Sequence, residues 1–301
     1  MLHKDKSDLK LSDIHSGFFG LSYYPEEQPR CFMERELASE AIIDRNFGTA
    51  IRHLQGLINN SLRDSGMEFS QFEGLRFYNV SNSSIRSLLL EQIATGSICL
   101  SDVSNFNDPM DPLLNVYFRT LKVSNINEKL WLKYMAKAAS NLRAACLLNS
   151  NANAKGVRPE ENLLMWAHYA DCHKGICVKY RITPSLLEKY TKESSFLILN
   201  KIEYVDRKID AQDITLRQSL FLKSKCWQYE NEYRMVYYSL RGPARYHQID
   251  GVEIESVYVG KDMPHESYKL FKSELSNLGI PMFKMHIKKD DLLFLQAERV
   301  V

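Results

Sequence analysis

Two carboxylates stand two residues apart in the stretch Lys223-Ser224-Lys225-Cys226-Trp227-Gln228-Tyr229-Glu230-Asn231-Glu232-Tyr233-Arg234. In an extended segment that spacing places both on one face. Like charges held close raise the proton affinity of one of them, so such a pair offers an acid and a base. Alternatively, one carboxylate binds a ribose hydroxyl while the other orients a substrate. The purely structural alternative is an edge strand in which Glu230 or Glu232 pairs with Arg234.

Three further patches could join it. Asn107-Asp108-Pro109-Met110-Asp111 puts two acids on a rigid turn, able to meet a metal or a ligand hydroxyl, although Asn, Asp and Pro also make such turns for backbone reasons alone. Arg76-Phe77-Tyr78 offers a cation and aromatic rings for a phosphate or a flat ligand; ordinary strand packing would use the same residues. In Trp166-Ala167-His168-Tyr169-Ala170-Asp171-Cys172-His173-Lys174-Gly175-Ile176-Cys177, His168 and Cys172 would share a helix face. With His173 and Cys177 they match no common zinc spacing, so packing of Trp166 and Tyr169 on a sheet is the better expectation, and no metal is expected. The chain has no GxGxxG or Walker-type loop and no GxSxG elbow, which argues against Rossmann, P-loop and α/β-hydrolase chemistry.

Elements that would position these groups follow from the patterning. Residues 1–34 are polar, with Phe18, Phe19, Tyr23 and Tyr24, and read as an arm. Helical spacing of apolar residues marks 35–65. A strand is expected from Leu75 to Val80, then a helix capped by Ser83 or Ser84 and closed by Gly96, then a strand from Ser97 to Ser101. Helices are expected over 127–148, Glu160 to Ala170, Thr183 to Tyr190, Asp213 to Lys223 and His265 to Leu278. Strands are expected at Ile176 to Arg181, Leu197 to Val205, Tyr233 to Leu240, Val252 to Val259 and Met282 to Ile287. This order lacks strict βαβ alternation and predicts an α+β fold with a mixed or antiparallel sheet. It divides into an N-terminal arm and helical extension, 1–70, and an α+β catalytic-type domain, 71–301.

The bulk properties are those of a globular chain. Lys and Arg total 39 against 37 Asp and Glu in 301 residues, a net charge of +2, without the basic excess of a general nucleic-acid binder. Six cysteines are scattered with no CxxC pair, the first ten residues are charged, and no run approaches the ~18 apolar residues of a bilayer span. A reduced, cytoplasmic protein with no membrane association is the expectation.

The patches occur in a recognisable order: "GSICLSDVSNFNDPMD" after the first strand, then "WAHYADCHKGICVKY", then "LKSKCWQYENEYRMVYY". Over residues 75–297 the chain resembles the bacterial family catalogued as domain of unknown function 2971. In layout it is similar to ADP-ribosyltransferases of the toxin and phage-defence kind, with Glu230-Asn231-Glu232 similar to their Glu-x-Glu. The resemblance implies a split sheet and NAD as substrate. It also implies that Glu232 binds the nicotinamide-ribose 2′-hydroxyl and stabilises an oxocarbenium-like transition state, and that Glu230 orients or deprotonates the acceptor. Tyr78 or Arg76 would hold NAD, with Asn107, Asp108 and Trp227 as further contacts. The acceptor would be a macromolecule (protein, DNA or RNA), and an antitoxin or chaperone is a partner of that setting. Unlike those enzymes, the chain has no Ser-Thr-Ser strand and no histidine on the first strand.

Two other readings compete. In a metal-dependent nuclease, Asp108, Asp111, Glu230 and Glu232 would hold Mg²⁺, although Arg234 stands where a Glu-x-Lys lysine belongs. In a non-catalytic binding module, the arm and first helix would dock a partner.

Overall fold

The computed structural model describes residues 29–106, 108, 110–114, 116, 126–151, 158–209, 214–242 and 246–301. The arm aromatics Phe18, Phe19, Tyr23 and Tyr24 lie outside this set, as does Asn107.

The single helix expected over 35–65 is two, α1 (Pro29–Ile43) and α2 (Phe47–Leu62). Between them Arg45 adopts a left-handed φ of 56°, and the Asn46 side chain caps α2 by accepting from the Thr49 amide. β1 (Phe72–Tyr78), α3 (Ser83–Thr95) and β2 (Ser97–Asp102) follow as expected. The cap of α3 is Asn82 and not Ser83 or Ser84, since its side chain accepts from the Ser84 and Ile85 amides, and Gly96 closes the helix at φ 62°.

The expected helix over 127–148 is half helix and half strand. α4 spans Ile126–Ala139, and Arg143–Asn149 is β3. Ala, Cys and Leu fill β3 without alternation, because both of its faces are buried. This run reads equally well as helix, which is why the strand escaped the sequence reading.

The rest of the chain supplies α5 (Leu163–Tyr169), β4 (Ile176–Ile182), α6 (Pro184–Tyr190), β5 (Ser195–Lys201) and β6 (Glu203–Val205). After these come α7 (Leu216–Phe221), β7 (Leu222–Ser224), β8 (Glu232–Ser239), β9 (Tyr246–Asp250) and β10 (Glu253–Val259). α8 (His265–Leu278), β11 (Met282–Lys288) and β12 (Asp291–Arg299) complete it. β9 and β12 were not anticipated, the helix expected from Asp213 to Lys223 gives way to β7 at Leu222, and the strand expected from Leu197 to Val205 is divided into β5 and β6.

The architecture is α+β with a large mixed sheet and surrounding helices. Among the described residues ten strands join, in the order β12-β11-β10-β4-β1-β3-β2-β9, with β8 pairing both β3 and β5. β3 is the hinge of this order. Along one side it pairs with β8 from Arg143 to Leu148. On the other side it pairs with β2 only at Arg143 and Ala144, and with β1 only at Leu148 and Asn149. β1 and β2 therefore share one edge of β3 and part from each other along it. The Arg76 guanidinium bridges the gap by donating to the Cys99 carbonyl at 2.6 Å.

The two sheet faces are covered differently. One carries a continuous core beneath α3, α6 and α8, including Leu89, Ile93, Leu186, Phe271 and Leu275. The other carries two separate clusters. In one, α1, α2, α4 and α7 pack on Ala144, Ile198, Val236 and Tyr238. In the other, α5 packs Met165 and Trp166 on Leu75, Phe77 and Leu148. Between them runs an uncovered strip of sheet bearing Cys146, Glu232 and Arg234.

Gly175 lets the chain enter β4 against the end of β1. A Cβ there would collide with the Tyr78 carbonyl oxygen and the Ala170 backbone, neither of which can yield cheaply. Gly175→Ala should cost about 2 kcal/mol, in the range of overpacking penalties, read as a lower urea midpoint at unchanged m-value.

Candidate active site

The uncovered strip is the floor of a cleft of about 480 Å³. Its walls come from β1 (Arg76, Phe77, Tyr78), β3 (Ala144, Cys146, Leu148), α5 (Met165, His168, Tyr169) and the turn carrying Phe106, Asp108 and Asp111. Lys223, Glu230 and Glu232 close it. Register explains the floor: Glu232 lies opposite Leu148 and Arg234 opposite Cys146, so their side chains share a face with the small residues of β3. Arg76 and Tyr78 alternate to the other face, and they line the cleft where β1 and β2 part.

Glu230 and Glu232 do not sit on one extended segment. Lys225–Glu230 is a 3₁₀ turn, Asn231 is left-handed at φ 43°, and β8 begins at Glu232. Asparagine tolerates that conformation better than most residues. Nor is β8 an edge strand, since it lies between β3 and β5. The kink still sends both carboxylates to one ammonium. Lys223 Nζ donates to Glu230 Oε2 at 2.7 Å and to Glu232 Oε2 at 3.2 Å, and stands 3.3 Å from Asp111 Oδ2.

Arg234 completes the network. Its guanidinium holds Asp111 through both nitrogens at 2.9 and 2.8 Å, Glu232 Oε1 from Nε at 2.9 Å, and the Leu220 carbonyl at 2.6 Å. It lies over the Phe106 ring at 5.0 Å. Arg234 is 0% exposed, Glu232 2% and Glu230 3%. Tyr169 Oη donates to Glu230 Oε1 at 2.5 Å, and the Glu232 amide donates to Tyr204 Oη at 2.9 Å.

The two glutamates are shifted in opposite directions. Burial drives the Glu230 carboxyl above the ordinary value of 4.5, and Lys223 and Tyr169 offset this only in part. Burial acts on Glu232 in the same sense, but Arg234 and Lys223 outweigh it, and its carboxyl titrates below 4.5. Burial disfavours the charged form of Lys223, yet Glu232, Asp111 and Glu230 together raise its proton affinity, so it remains an ammonium. Burial, reinforced by Glu232, keeps Cys146 a thiol.

Residues 165–235 match the profile of a family described as a protein of unknown function (DUF2971). No solved structure matches the chain. The matched segment contains Tyr169, Lys223, Glu230, Glu232 and Arg234, the C-terminal half of the network, and supports the resemblance to that family. Asp111, Arg76 and Tyr78 lie outside it.

Of the residues expected from sequence, Glu230, Glu232, Arg76, Tyr78 and Asp108 line one cleft. Asn107 lies outside the described residues. Trp227 is not in the lining; its ring lies 5.0 Å from the Lys223 ammonium. The helix expected to put His168 and Cys172 on one face ends at Tyr169, after which Asp171, Cys172 and His173 are all left-handed. Cys177 is buried in the core and Cys172 exposed, and no group of metal-ligating side chains occurs among the described residues. Cys99, Cys146, Cys172, Cys177 and Cys226 are free thiols among the described residues. No described helix is long and apolar enough to cross a membrane.

Sequence reasoning gave Lys223 no role and treated Tyr169 only as packing. The available signal was a single lysine at the end of the apolar run Leu220-Phe221-Leu222, a place where a charge is kept only with a partner.

Opposite pH slopes should distinguish the two glutamates. A raised carboxyl stabilises the fold below its ordinary value and loses that contribution as pH rises, whereas a lowered one contributes above it and is lost on acidification. Relative to Glu230→Gln, the wild type should therefore lose stability as pH rises above 4.5. Relative to Glu232→Gln, it should lose stability as pH falls below 4.5. Urea titrations at stepped pH read both slopes.

Proposed function

We propose that the cleft is the active site of an NAD-dependent ADP-ribosyltransferase, a toxin-like or defence effector that modifies a macromolecule. The observation that carries this reading is the convergence of two glutamates in opposite environments at the point where the sheet splits. An NAD-cleaving site needs a fixed anion where positive charge develops on the ribose, and a second carboxyl able to take a proton from the acceptor. Glu232 suits the first role because Arg234 and Lys223 keep it ionised and immobile. Its Oε1 already meets Arg234 Nε and Nη2, its Oε2 meets Lys223, and the Cys146 thiol also bonds the carboxylate, so a ribose hydroxyl would reach it by displacing one of these donors. Glu230 suits the second role because its proton affinity is raised.

Charge and shape agree with that substrate. Asp111, Glu230 and Glu232, when ionised, exceed Lys223 and Arg234 by one negative charge, complementary to a pyridinium. Phe77, Tyr78, Phe106 and Tyr169 offer aromatic surface to the same cation. Arg76 spends one of its five donors on the Cys99 carbonyl, leaving others for a diphosphate. The volume falls within the roughly 300–1,000 Å³ of small-molecule sites.

The nuclease reading is weaker. A Mg²⁺ ion held by Asp111, Glu230 and Glu232 would compete for the place of the Lys223 ammonium, which already stands 2.7–3.3 Å from an oxygen of each.

Incubated with labelled NAD, the protein should release nicotinamide and transfer label in the presence of EDTA. Glu232→Gln should lower both by about 100-fold or more, the scale of losing one preorganised electrostatic partner, and Glu230→Gln should lower transfer. Folded variants with full activity would sink the proposal, and loss of wild-type activity in EDTA would favour the nuclease.

A further inference from the structure

Glu230 is shared by two cavities. Besides closing the main cleft, it lines, with Leu148, a second cavity of about 260 Å³ between the start of α5 and β12. Resting on the ADP-ribosyl-transfer reading above, we infer that this second cavity seats the acceptor and that the acceptor is a polypeptide. The shared carboxyl is then the contact between the halves of the reaction. The acceptor O–H or N–H attacks the ribose C1′ as the C1′–N bond to nicotinamide breaks. The bonding pair leaves on the ring nitrogen and discharges the pyridinium, and the acceptor proton passes to Glu230.

The acceptor class follows from the lining. A nucleic-acid site needs cations to neutralise phosphates. Among the described residues the cavity has one, Arg158, and its guanidinium is engaged by Glu161 at 2.7 and 3.0 Å, with Glu160 at 3.4 Å. Among the described residues Glu161 and Glu230 make the lining acidic on balance. The rim is apolar and open: Leu293 is 75% exposed and Leu164 46%, with Leu163 and Phe294 beside them. Exposed apolar side chains clustered around a cavity mark a protein contact. The mouth is also rigidly built, because the Asn162 side chain caps α5 and donates to the Tyr229 carbonyl at 2.9 Å, tying α5 to the turn that carries Glu230.

The test supplies labelled NAD with a nucleic-acid-free protein extract or with purified RNA and sheared DNA, and follows both transferred label and free nicotinamide. Label should enter protein. Leu164→Asp and Leu293→Asp should each lower the ratio of label transferred to nicotinamide released by about tenfold, the effect of losing one apolar anchor. Both positions are exposed, and an aspartate in the first turn of α5 favours the helix, so the folds should survive, as urea midpoints would verify. Label in nucleic acid, or an unchanged ratio in both variants, overturns the inference while leaving the donor site intact. Absence of nicotinamide release from the wild type overturns the reading beneath it, and the inference with it.

Discussion

A guanidinium with no access to water dictates the arrangement of this site. Arg234 is fixed on an interior strand, and burying it without partners would be prohibitive. Its donors are met by Asp111, Glu232 and the Leu220 carbonyl, which ties the turn after β2, the strand β8 and the end of α7 to one point. Lys223 then binds Glu230 to the same assembly. Buried ion networks are poor stabilisers, since a well-packed apolar set of similar volume often serves as well. What this one supplies is charge at a fixed place, with one carboxyl shifted below its ordinary value and its neighbour above it.

The sheet makes room for that charge through an asymmetry of its two faces. One face is sealed by a continuous core. The other is covered by two helical caps whose cores do not merge, and the strip between them falls where β8 directs the buried Glu232 and Arg234 side chains to that face. The parting of β1 and β2 along β3 opens the strip further and admits Arg76 and Tyr78, which register alone would have placed on the sealed face. Strand pairing therefore sets the floor of the cleft, and the turns after β2 and before β8 close it.

Much of this was legible in the residues, and the failures have physical causes. The helix from His265 to Leu278 and the caps at Thr183 and Gly96 were readable because capping chemistry is local. Glu230, Glu232, Arg76, Tyr78 and Asp108 were readable as candidates because carboxylates two residues apart, acids on an Asn-Asp-Pro turn and a cation beside aromatic rings are each local signals. β3 was not, because a strand buried on both faces loses its alternation. The geometry of the Glu230-Asn231-Glu232 kink was not, because it depends on one left-handed residue. Lys223 was not, because its partners lie 7, 9 and 112 positions away, and only the folded chain reveals that they meet.

The β3 side of the cleft floor is made of small side chains. Ala144 and Cys146 are small side chains on β3, and they set how deep the cavity reaches. The charged groups that face a ligand belong to other strands and turns. Size selection and charge selection are thus assigned to different residues. A bulkier residue in place of the Ala144 methyl would change which molecules fit without replacing any member of an ion pair, whereas the Cys146 thiol bonds Glu232 and has less freedom to vary.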